Sequence, residues 1–113
     1  MSIAEIEELD GIIIIKIFGA LNAKVIGEFD EMSDSVLRKK PEVLALDCSK
    51  LDFIDSVGIN HLFRLSQRSS EEEIRFILYD LNPTIKQIFQ VTNLDKLLNV
   101  VTRETFESEF IID

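Results

Sequence analysis

Three short apolar runs, Gly11–Phe18, Val43–Cys48 and Ile74–Tyr79, are each followed by a polar stretch and then by apolar residues at helical spacing. The first is rich in isoleucine at both odd and even positions, as in a strand covered on both faces. Strands that alternate with helices imply parallel neighbours joined by right-handed crossovers. A further strand candidate, residues 3–9, joins the first run through Asp10-Gly11, a dipeptide favoured in tight hairpin turns. The predicted order is β-β-α-β-α-β-α-(β)-α. That is an α/β fold with a mixed sheet of four to five strands, an N-terminal hairpin and about four helices.

The helices are bounded by recognisable residues. Gly19–Asn22 breaks the strand pattern, and Asn22 is a good N-cap for a helix whose inner stripe is Val25, Phe29, Met32, Val36 and Leu37. Gly27 lies inside it at a cost of roughly 1 kcal/mol relative to alanine, and Pro41 ends it. Ser49–Ser56 leads into a second helix with Ile59, Leu62, Phe63 and Ser66 facing inward, and Ser69–Glu73 reads as a solvated turn. Asn82-Pro83 pairs a cap with a proline suited to a first turn, so Ile85, Ile88 and Phe89 face inward from a third helix. Leu97–Val101 reads as a last short strand, and Thr102 caps a helix carrying Phe106 and Phe110. With no linker, repeat or low-complexity segment, residues 1–113 are expected to form one domain.

Composition narrows the function classes. The net charge is −9, and no run of Lys and Arg exceeds Arg38-Lys39-Lys40. Nucleic acids and anionic membranes both require a basic face, so neither is an expected partner. Cys48 is the single cysteine, which excludes an internal disulfide and suits a reducing compartment. The first residues are acidic where a targeting segment would be basic, and the apolar run Ile12–Ile15 is far too short to span a bilayer. The expectation is a cytoplasmic protein without direct membrane insertion.

Enzyme constellations are weak. Ser56 stands where a strand passes into a helix, but a serine nucleophile needs a base within hydrogen-bond reach. The only histidine, His61, is five positions further on, a rotation of roughly 500° around the helix, and is expected to be partly exposed. Asp47, Asp52 and Asp55 read as loop and cap residues, because no acidic pair follows the first core strand and no His/Cys ligand spacing occurs. The four glycines are too dispersed for a phosphate-binding loop, and Cys48 on its apolar strand is read as structural. No enzymatic activity, cofactor or metal is expected. What Ser56 does offer is a hydroxyl at a helix start. There it caps the free N–H groups of the first turn or carries a phosphate, which the positive helix end favours.

With those residues in place, the sequence resembles the STAS family, typified by bacterial anti-sigma-factor antagonists, from about Ile12 to Phe110. The resemblance rests on a strand ending in Gly19-Ala20-Leu21-Asn22, the strand Val43–Asp47, and above all Leu51-Asp52-Phe53-Ile54-Asp55-Ser56-Val57-Gly58-Ile59. Asn82-Pro83 after a strand and Val91-Thr92-Asn93-Leu94-Asp95-Lys96-Leu97 complete it. It implies a domain that acts by binding an anti-sigma factor, usually also a serine kinase, which phosphorylates the serine aligned with Ser56 and so ends the complex; a phosphatase resets it. The interface is expected over residues 52–60 and the neighbouring Ala20–Lys24 loop, with partner contacts at Asp52, Asp55, Ser56, Val57, Gly58, Asn60 and Asn22. Two departures stand out. Family members commonly have Gly-Glu-Leu-Asp where this chain has Gly19-Ala20-Leu21-Asn22, which removes an aspartate that often contributes to kinase contact. Val57 stands where a small residue is usual. Two other readings stay open: a non-switching STAS module, such as the small subunit of a lipid-transport ABC system, and a small-ligand or nucleotide-binding domain.

Overall fold

The computed structural model describes residues 3–111. Five strands lie side by side in chain order: β1 (Ala4–Leu9), β2 (Ile12–Leu21), β3 (Val43–Ile54), β4 (Arg75–Tyr79) and β5 (Asn99–Val101). β1 runs antiparallel to β2 across a turn in which Gly11 takes φ +76°, a backbone region that side chains disfavour. All the other pairs are parallel. The helices are α1 (Ile26–Arg38), α2 (Ser56–Glu71), α3 (Pro83–Val91), the single turn α4 (Leu94–Leu97) and α5 (Arg103–Phe110). Among the described residues no helix is long and apolar enough to cross a membrane.

The isoleucines of β2 explain the layering. Ile13, Ile15 and Ile17 join a core built with Phe29 of α1, Leu62 and Leu65 of α2, Ile85 and Phe89 of α3 and Leu94 of α4. Ile12 and Ile14 belong to a second core with Val43, Ala45, Ile77, Tyr79 and Phe106 of α5. The sheet is therefore covered by four helices on one face and by α5 on the other, which is why its central strands lack polar alternation. Cys48 is wholly buried in the larger core, where burial holds its thiol far above the ordinary cysteine range. That environment gives an inert thiol.

Several boundaries differ from those read in the sequence. β2 and β3 run on to Leu21 and Ile54, where a break and a loop were expected, through two register irregularities in which β3 carries an extra residue each time. Because the strand consumes Gly19–Leu21, Asn22 does not cap α1. Val25 occupies that position without a side-chain cap, and the Asn22 Oδ1 accepts instead from the Lys24 N–H at 3.0 Å in a turn ahead of the helix. Helix α2 continues through the expected Ser69–Glu73 turn to Glu71, with Ser69 buried. Its buried face is Gly58, His61, Leu62, Leu65 and Ser69; Ile59, Phe63 and Ser66 lie only partly covered at its margins. Asp47 is a buried strand residue 3.2 Å from the Arg103 guanidinium of α5, not a loop or cap residue. α4 was not foreseen, and it leaves β5 two residues shorter than expected at its start. The caps at Asn82 and Thr102 are as expected, accepting from Ile85 N–H and Thr105 N–H.

His61, expected to be partly exposed, is only 2% accessible because it sits in the α1–α2 contact. Its ring lies 4.9 Å from that of Phe29, and its Nε2 is 3.4 Å from the Ser33 hydroxyl. Burial lowers its pKa below the ordinary 6.5. Asp30, at 3.6 Å from Nδ1, opposes this together with Asp34, while Arg64 and Arg68 add to it. The folded chain therefore excludes a proton that the unfolded chain takes up below about pH 6.5, so the neutral ring's contribution is complete above that pH and fades below it. Chemical denaturation at pH 7.5 and 5.8 is expected to show a loss of stability on acidification, and His61→Gln is expected to show a smaller one.

Candidate functional site

The C-terminal ends of parallel strands are where loops gather in an open α/β sheet. Here the β2–α1, β3–α2 and β4–α3 loops meet at that end. Asp55 binds the first two together. Its backbone N–H donates to the Leu21 carbonyl at 3.3 Å, its Oδ2 accepts from the Ala23 N–H at 3.4 Å, and its Oδ1 accepts from the Gly58 N–H at 3.0 Å. The last bond makes Asp55, with extended backbone, the N-cap of α2. Asn82 ties in the third loop: its side-chain N–H donates to the Leu51 carbonyl at 2.8 Å while its oxygen caps α3.

Ser56 is consequently not the cap. It is the first residue of α2, exposed, and its hydroxyl has no hydrogen-bond partner among the described residues. The N–H groups of Ser56 and Val57 lack intrahelical acceptors by virtue of their position, so the hydroxyl sits on the positive end of a four-turn helix. No acidic residue occupies the first turn of α2. His61 lies one and a half turns further on, locked into α1, and cannot serve this hydroxyl as a base.

The other expected contact residues divide by exposure. Asp52 and Asn60 are exposed; Asn22, Asp55 and Val57 are partly so. Gly58 is buried, and its role is close approach: a Cβ there would overlap the Leu21 carbonyl and meet the Ile54 side chain at 2.8 Å. Glycine lets α2 sit directly against the end of β2. The charge contributed by an aspartate at position 22 is absent, and Asn22 spends its side-chain oxygen on the local turn.

Phe53 lies within the expected 52–60 stretch but was not singled out from the sequence as a contact residue. It is 50% exposed, an unusual state for phenylalanine in a strand. The irregularities of β3 are the cause. Leu51 and Ile54 both face the larger core although three residues apart, so the extra residue between them turns Phe53 outward. An apolar residue in a strand reads as core, and only the paired register reveals otherwise.

The division of labour between Asp55 and Ser56 is open to a direct check. Asp55→Ala is expected to lower unfolding free energy by about 1–2 kcal/mol through the lost cap, and Ser56→Ala by no more than about 0.5 kcal/mol. Urea titrations of the two variants measure this; a larger loss for Ser56→Ala would mean that the serine is the cap.

Comparison with known proteins agrees with this architecture. An anti-sigma factor antagonist from Mycobacterium paratuberculosis superposes with a TM-score of 0.78 at 22% identity, over 86% of this chain and 82% of that one. The Bacillus cell fate determinant SpoIIAA in its phosphorylated form gives 0.71 at 18% identity, over 94% and 97%. A Moorella thermoacetica RsbS variant in which glutamate replaces a serine gives 0.74 at 19% identity, over 90% and 88%. At such identities the likeness speaks to the fold. The STAS domain family itself matches residues 4–109, nearly the whole chain, and this protein belongs to it.

Proposed function

We propose that this chain is an anti-sigma-factor antagonist switched by phosphorylation of Ser56. It acts by binding, without catalysis. Its partner is an anti-sigma factor that is also a serine kinase, and a phosphatase resets the switch. The contact surface is formed by Asp52, Phe53, Val57 and Asn60 around Ser56, with Asn22 at its edge and Asp55 and Gly58 shaping it from beneath.

The observation that carries this reading is that Asp55 takes the capping duty and leaves the Ser56 hydroxyl exposed and unengaged. A serine committed to a cap would have to break its own helix to be modified; this one would not. A phosphate adds a charge of about −1.5 to −2 at neutral pH, and in the free protein the first-turn N–H groups and the helix dipole tolerate it. Inside a closed interface the same group, beside Asp52 and Asp55, would be desolvated and repelled, so complex formation is lost while the fold is kept. The neighbours described as an anti-sigma factor antagonist and as a phosphorylated SpoIIAA lend support by their shared architecture.

Co-purification with the kinase in the presence of ATP tests the switch. Ser56→Ala is expected to remain bound when wild-type protein has been released. Protein carrying authentic phosphoserine at position 56 is expected to bind at least about tenfold more weakly than the unmodified form. Equal affinity of the two forms would contradict the proposal.

A further inference from the structure

Helices α1 and α2 pack side by side, and one side chain in their contact has its hydrogen bonding incomplete. His61 is buried, yet its Nδ1 has no hydrogen-bond partner among the described residues. Buried side-chain nitrogens ordinarily find one. The ring forms part of a cleft of about 390 Å³ between the two helices, lined also by Asp30, Asp34, Arg64, Leu65 and Arg68.

The other ring nitrogen decides the tautomer. Ser33 donates its single hydroxyl proton to the Phe29 carbonyl at 2.9 Å. Its oxygen, 3.4 Å from the imidazole, is left to accept, so Nε2 carries the ring proton and Nδ1 keeps a lone pair. That lone pair faces an Asp30 carboxylate oxygen at 3.6 Å. Two acceptors therefore confront each other inside the helix contact, and the Asp30 side chain, about half exposed, has room to move. The other charged groups facing the ring are Asp34 of α1 and Arg64 and Arg68 of α2, of which Asp34 and Arg68 are paired with each other.

We propose that His61 and Asp30 form a proton-operated latch between α1 and α2, open at neutral pH and closed in mild acid, that resets the β2–α1 loop of the candidate surface. A proton taken from solvent makes Nδ1 a donor, and Asp30 closes onto it while the Nε2–H stays on Ser33. Burial of the imidazolium opposes closure, which places it below the ordinary imidazole range. Closure draws the first turns of α1 toward α2. Helix α1 starts at Val25 without a side-chain cap, directly behind the Asn22–Lys24 turn, and the Ala23 N–H holds the Asp55 carboxylate at 3.4 Å. Movement of α1 is thereby passed to the loop beside Ser56. The latch is set by the fold and depends neither on the identity of a partner nor on modification of Ser56.

The test is an NMR titration of the ¹⁵N-labelled full chain, free of any partner, from pH 7.5 to 5.5. His61 is the only histidine, and its side chain is the one whose ordinary range falls in that window. At pH 7.5 the ring is expected to carry its proton on Nε2 and none on Nδ1. On acidification Nδ1 takes up a proton, and amides of residues 20–24 and 29–34 are expected to shift along the same curve. Asp30→Asn replaces an exposed carboxylate with an amide that donates to the lone pair. It is expected to move the ring titration to lower pH and to abolish the response of residues 20–24. A proton on Nδ1 at pH 7.5, an unmoved titration in Asp30→Asn, or amides of residues 20–24 that do not follow the ring would overturn the proposal. So would loss of dispersion across the whole spectrum in place of a local response, which would make protonation a route to unfolding.

Discussion

The Asp55 carboxylate is the constraint on which the candidate site depends. One oxygen satisfies an orphan N–H of α2, the other reaches the β2–α1 loop, and the backbone N–H closes onto the end of β2. A helix start and a neighbouring loop, 32 residues apart in sequence, thereby become one surface. The adjacent serine is freed by the same arrangement. Had Ser56 been the cap, modifying it would disrupt the helix; as the first helical residue it projects into solvent with the positive helix end behind it.

That geometry requires α2 to lie hard against β2, and two sequence features permit it. Gly58 removes the Cβ that would strike the Leu21 carbonyl. The extra residues in β3 let its pairing with β2 continue to Leu21 and Ile54, which places the helix start level with the β2–α1 loop and turns Phe53 outward. Extending β2 and exposing Phe53 are thus consequences of the extra residues in β3, and Gly58 completes the seating of α2.

Much of the architecture was legible because its signals are local. Asp10-Gly11 marks a hairpin, Asn82-Pro83 and Thr102 mark helix starts, and isoleucine on both parities of β2 marks a strand between two layers. What escaped depends on partners distant in the chain. Asn22 has the right residue type for a cap, but a strand three residues longer than its composition suggests left it in a turn. Asp55 and Ser56 are comparable capping residues, and only the close approach of Ala23 and Leu21 assigns the role to the former. His61 appears polar and outward until Phe29 and Ser33 of α1 arrive around it. The pairing of buried Asp47 with Arg103 joins residues 56 apart.

Mass spectrometry of the Leu51–Arg64 tryptic peptide from protein isolated out of its native host tests the central claim most directly. Lys50 and Arg64 bound this peptide, and Ser56 is its only hydroxyl-bearing residue, so the position of a phosphate is unambiguous. The account predicts a pair of peptides differing by one phosphate, in a ratio that changes with growth condition. Unmodified peptide alone under growth, starvation and stress would contradict it, leaving Ser56 as one surface residue of a constitutive binding module.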